Sequence, residues 1–110
     1  MNIQHRGLAS GRWKQLSFFE QMANIGSEVE RALNWQAKHN LEYCRQASGR
    51  ALELIDLSLD NLTSYSRIKE VARLRELIVD YFYDVNQFMS TEASWRRYFL
   101  AFAYAARKGY

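Results

Sequence analysis

The sequence predicts an all-α fold, an antiparallel up-down-up-down four-helix bundle that is homo-oligomeric. Three observations predict it. The 110 residues contain no proline, the residue that most strongly interrupts a helix. Apolar residues recur at three- and four-residue steps in four successive runs, with no strand-like alternation bounded by Gly-Asn turns. Before each run stands a Ser, Thr or Asn whose side-chain oxygen can cap a helix. Helices joined by short polar turns pack with sequential neighbours antiparallel.

The first helix opens at Ser17-Phe18-Phe19-Glu20, a capping-box spacing, and carries Phe18, Met22, Ile25, Val29, Leu33 and Gln36 on one side to about His39. Gly26, beside this stripe, costs helix propensity but permits close approach of another backbone. Asn40 caps a second helix with an inner stripe of Leu41, Cys44, Ser48, Ala51, Leu52, Ile55 and Leu59. Thr63, Ser64 or Ser66 opens a third, whose stripe is Ile68, Val71, Ala72, Ile78, Val79, Phe82 and Val85, closed by a turn over residues 84–90. Ser90 or Thr91 caps the fourth, which bears Trp95, Tyr98, Phe99, Phe102 and Ala106. Arg107-Lys108-Gly109 ends it, cations in the last turn followed by a glycine stop.

This length fits one domain. Residues 1–16 hold three basic and no acidic side chains and are predicted to be a flexible arm; residues 17–110 form the bundle. The arm has neither the apolar run of a membrane span nor the pattern of a signal peptide. With 48% apolar and 25% charged residues the chain is of the soluble globular class. A single cysteine, Cys44, cannot form an internal disulfide and fits a reducing, cytoplasmic location. The net charge of +3 is mild, but the middle of the chain is acidic and both ends are basic.

The acid–base inventory is thin. His5 and His39 are the only histidines; no Glu-x-x-His pair for a di-metal bundle, phosphate loop, nucleophile elbow or Cys-x-x-Cys occurs. No cofactor or metal is expected. Cys44 close to His39 forms a conceivable thiol–imidazole pair, but its place on the inner stripe makes it a small buried hydrophobe. Arg75 falls seven residues after Ile68 and three before Ile78, an inner position that demands a partner. Glu53, Asp56 or Glu28 can supply it as an internal ion pair, or the side chain snorkels to the surface; the alternative is an anion site inside the bundle.

Second apolar rows suggest further burial between subunits. On the second helix Ala47 shares a row with Tyr43, Leu54 and Leu57; those three, with Leu74, Leu77 and Tyr81 on the third helix and Trp35 on the first, are the candidate oligomer interface. Ten of the sixteen aromatic residues lie in the last thirty positions. At about 100 degrees per residue most face the core. That leaves Leu100 and Tyr104 framed by Arg96, Arg97, Arg107 and Lys108, with Arg12 and Lys14 from the arm, as a candidate nucleic-acid or partner surface.

Two stretches, Leu16-Ser17-Phe18-Phe19-Glu20-Gln21-Met22-Ala23-Asn24-Ile25-Gly26-Ser27-Glu28-Val29-Glu30-Arg31-Ala32 and Arg50-Ala51-Leu52-Glu53-Leu54-Ile55-Asp56-Leu57, resemble a family of uncharacterised cytosolic bacterial and archaeal proteins. The ending Trp95-Arg96-Arg97-Tyr98-Phe99-Leu100-Ala101-Phe102-Ala103-Tyr104-Ala105-Ala106-Arg107-Lys108-Gly109 looks like that family too. The resemblance implies a four-helix bundle assembled as a ring of five. By fold and assembly it stands near the proteins encoded by intervening sequences of large-subunit ribosomal RNA genes and the accessory variability determinants of diversity-generating retroelements. It carries no catalytic residue, and the nucleic acid or nucleic-acid enzyme it suggests as a partner is fold analogy. The leading expectation is a non-enzymatic, homo-oligomeric scaffold or binding module without a membrane partner. The alternatives are a nucleic-acid-binding accessory protein, and a small enzyme or ligand-binding bundle using Arg75, Glu53, Asp56 or Cys44.

Overall fold

Ser17 starts the first helix as its spacing predicts. Its hydroxyl accepts from the Glu20 N–H at 3.1 Å while the Glu20 carboxylate accepts from the Ser17 N–H at 2.8 Å, which satisfies two otherwise orphaned donors. The computed structural model describes residues 11–109, so His5 and the first ten residues of the expected arm lie outside the described residues. The chain forms a 3-10 turn at Arg12–Gln15 and four helices: α1 (Phe18–Ala37), α2 (Leu41–Asn61), α3 (Tyr65–Tyr83) and α4 (Glu92–Arg107). There is no strand among the described residues. A radius of gyration of 13.5 Å is that of a compact domain of this size.

Asn40 serves two helices at once. The bonds Asn40 N–H to Trp35 O and His39 N–H to Gln36 O, both 3.0 Å, close α1 in a Schellman turn with His39 at φ 59°. The Asn40 side chain then accepts from the Tyr43 N–H at 3.0 Å to open α2. Thr91 caps α4 with Ser94, and Gly109 at φ 81° follows its end. Ser64 opens α3 without a side-chain cap, its hydroxyl turned instead to that of Ser66.

Contacts across the helices run in opposite chain directions. Along α1 and α2 they pass from Gln21 with Ser58 to Trp35 with Tyr43; along α2 and α3, from Ser48 with Tyr83 to Asp56 with Arg75; along α1 and α4, from Phe18 with Phe102 to Glu30 with Arg96. The packing is that of a bundle, with α1 as its hub. Eight residues of α1 are buried against two of α4, and Met22, Ile25, Val29 and Leu33 are sealed from solvent. Full burial of each such side chain contributes roughly 1.5–3 kcal/mol.

Gly26 permits a close approach, but of a side chain and not of a backbone. A Cβ built there would lie 2.7 Å from the ring of Phe99 in α4, so the missing methyl is what lets α4 settle on α1. A second element closes the α1–α2 end. Trp13 is 1% exposed; its indole N–H donates to Ser58 Oγ at 3.0 Å, Ser58 donates to Gln21 Oε1 at 3.0 Å, and Gln21 Nε2 donates back to Trp13 O at 2.9 Å. This closed ring satisfies three buried side chains. Within the stretch expected as a flexible arm, Trp13 thus packs into the bundle.

The buried arcs of α2 and α3 differ from the expected stripes. On α3 the buried apolar residues are Val71, Leu74 and Ile78, while Ile68, Ala72 and Val79 are half-buried and Val85 is exposed in the following loop. On α2, Ala47 and Leu54 join Ala51 and Ile55 inside, while Leu41 is exposed at the first turn. A bundle helix meets two neighbours and so buries an arc of about 100 degrees or more, which absorbs the second rows.

Gly26→Ala tests the α1–α4 approach. On an open helix the change gains about 1 kcal/mol of propensity; here overpacking against Phe99 costs about 1–3 kcal/mol. Chemical denaturation is expected to give a net loss of stability, and a gain would contradict the contact.

Candidate functional site

Arg75 was expected inside the bundle. It donates to Asp56 Oδ1 at 2.9 Å, one of the predicted partners, but both side chains are nearly half exposed. The buried arc through Val71, Leu74 and Ile78 leaves Arg75 at the α2–α3 edge, so there is no internal ion pair of Arg75 and no anion site built on it. Glu53, half-buried on α2, has a partner of its own. Glu28 of α1 is buried instead. It accepts from Arg50 of α2 at 2.8 Å and also from Arg31 one turn on, the pairing that a buried carboxylate requires.

Cys44 is buried with Ala32, Ala47 and flanking Trp35 and Phe82. Burial pushes its thiol pKa up, with the neighbouring Arg45 opposing more weakly. Thiolate is thereby suppressed. No hydrogen bond joins it to His39, which sits exposed in the α1–α2 turn. Among the described residues no group of three His, Cys, Asp or Glu could hold a metal ion.

The expected interface residues separate. Leu54 and Leu74 are each 2% exposed and belong to the core, so neither is open to a partner. Leu57, Leu77 and Tyr81 pack on that core from its margin. The Tyr81 hydroxyl donates to Gln36 at 3.2 Å, and its pKa is raised, first by burial. Trp35 is half-buried, edge-on to Tyr43 at 4.8 Å, and Tyr43 alone of the seven is exposed.

The expected cationic surface also divides. Arg96 is occupied: its Nε donates to both Glu30 oxygens at 3.0–3.1 Å and its Nη1 to Glu92 at 3.2 Å. Leu100 and Tyr104 are exposed, with Lys108 over the Tyr104 ring at 5.6 Å. Arg12, Lys14, Arg97, Arg107 and Lys108 are exposed and form no ion pair among the described residues. Four of these five, all but Arg97, share one end of the bundle. That end holds the starts of α1 and α3 and the close of α4, tied together by Phe18 against Phe102 and by Arg67 over Phe18 at 4.5 Å.

The opposite end exposes large apolar side chains among its charged and polar ones. Leu41 and Tyr43 open α2 there, Tyr83 closes α3, and Val85 and Met89 in the α3–α4 loop are 79% and 81% exposed. This loop is held by Asp80, a buried carboxylate that accepts from the backbone N–H groups of Gln87 at 2.7 Å and Phe88 at 3.0 Å. Asn86 and Met89 adopt positive φ. The loop thus presents Val85 and Met89 outward on a fixed backbone. Composition gave no hint of this, because Val85 continues the apolar spacing of α3 and the stop comes from Asp80 reaching seven and eight residues ahead.

Between α3 and α4 lies a slot of about 270 Å³ lined by Leu74, Leu77, Trp95 and Tyr98. The two helices meet mainly through side chains there. Tyr98 donates to Glu70 at 2.8 Å; burial first, and this bond after it, raise the tyrosine pKa, and Tyr81 packs edge-on to Trp95 at 5.9 Å. Comparison with known families, with curated proteins and with solved structures finds no match. The resemblance drawn above rests on its sequence stretches alone. No helix is long and apolar enough to cross a membrane among the described residues.

Proposed function

We propose that this chain is a non-enzymatic helical scaffold that assembles with copies of itself in the cytoplasm and presents its remaining surface to a partner. The observation that carries the reading is the collection of exposed apolar side chains at one end, Leu41, Tyr43, Tyr83, Val85 and Met89, beyond the single exposed residues that are ordinary on a monomer. Self-association covers them most economically. The ring of five is what the resemblance adds.

Light scattering of the full chain at micromolar concentration is expected to give a multiple of 13.0 kDa, five-fold if the resemblance holds for assembly. Val85→Asp with Met89→Asp, in the loop and outside the core, is expected to shift the mass toward monomer at unchanged helix content. A wild-type monomer contradicts the assembly; an oligomer indifferent to the double variant contradicts the surface.

A second reading, a nucleic-acid-binding accessory role, is favoured by the end where Arg12, Lys14, Arg107 and Lys108 stand without acidic partners among the described residues. Cations in that state release counterions on binding phosphates. In electrophoretic shift titrations with RNA and duplex DNA at two salt concentrations, the expected complex weakens with salt, and each charge removed among the four lowers the duplex salt slope by about 0.9. Absence of any complex at low salt removes this reading.

A further inference from the structure

We propose that the slot between α3 and α4 binds a small aromatic carboxylate, its ring among Leu74, Leu77, Trp95 and Tyr98 and its carboxylate on Arg73. The inference is independent of the assembly reading. At about 270 Å³ the slot is larger than an apolar cavity of about 150 Å³ that takes benzene and near the lower bound of small-ligand clefts, about 300 Å³. It suits a single ring with a short polar arm.

The slot does not close because its walls are propped. Tyr98 is fixed by its 2.8 Å bond to Glu70, and Tyr81, behind Trp95, by its 3.2 Å bond to Gln36. Trp95 is held between Tyr81 at 5.9 Å and Phe99 at 6.2 Å. None of these rings can swing into the void without giving up a hydrogen bond or an aromatic contact. Trp95 also carries a buried indole N–H with no acceptor among the described residues.

Charge at the slot selects the ligand class. Glu70, its one anion, already accepts from Tyr98. Arg73, its one cation, lies 4.6 Å over the Phe88 ring, which orients the guanidinium. Its acidic contact is Glu76 at 3.7 Å with both side chains more than half exposed, a pair worth little. Ser90 lines the same slot with a hydroxyl that makes no hydrogen bond among the described residues. The unsatisfied capacity is thus a guanidinium and a hydroxyl beside an apolar slot, which a ring bearing a carboxylate complements.

The test uses phenylacetate and its uncharged isostere phenylacetamide on the ¹⁵N-labelled full chain, read at the indole N–H signals of Trp13, Trp35 and Trp95. Phenylacetate at millimolar concentration is expected to move the Trp95 signal saturably and leave the other two in place. Phenylacetamide is expected to bind about tenfold more weakly, the scale of one charge-assisted contact. Arg73→Gln, a surface change, brings phenylacetate down to the amide's level, and Leu77→Trp, checked for fold by its spectral dispersion, fills the slot and abolishes both. A stationary Trp95 signal overturns the proposal. Equal binding of acid and amide, an indifferent Arg73→Gln, or binding by a folded Leu77→Trp chain does so too.

Discussion

The contact of α1 with two helices at once sets the terms for the rest of the molecule. Met22, Ile25, Val29 and Leu33 are fully buried because α2 covers one flank of their arc and α4 the other. The α4 side works only because Gly26 presents no side chain to Phe99. Where the interior of α1 carries charge, at Glu28, α2 answers with Arg50. Where it carries an amide, at Gln21, Ser58 and the Trp13 carbonyl complete its hydrogen bonds. α3 and α4 are anchored to α2 and α1 respectively and meet each other through tyrosine and tryptophan side chains, and the slot follows from that division.

The fold was largely legible because caps and periodicity are local signals. Ser17 with Glu20, Asn40, and Thr91 act within one turn of where they stand in the chain. The second rows misled for a physical reason: a helix in a bundle buries an arc and not a line, so Leu54 and Leu74 complete the core without a second subunit. Trp13 was illegible because its burial depends on Ser58, forty-five residues away. Arg75 meets Asp56, one of the three partners that the spacing offered, at an edge and not in the interior, since the α3 arc is rotated toward Leu74.

The candidate site was less legible than the fold, because it depends on which charges cancel. Arg96 and Arg97 are adjacent and look equivalent in the sequence, yet Arg96 is held by Glu30 across the helix boundary and by Glu92 one turn earlier. What remains is a molecule with two unlike ends: cations without ion pairs among the described residues gather at one, and large exposed apolar side chains stand among charged ones at the other.

Native-state hydrogen exchange of individual amides tests the role of α1 most directly, since exchange reports the free energy of local opening. If α1 is the hub, the slowest amides are those around Met22, Ile25, Val29 and Leu33, exchanging only with global unfolding, while α3 and α4 open at lower free energy. Protection in α3 or α4 equal to or above that of α1 would contradict the account.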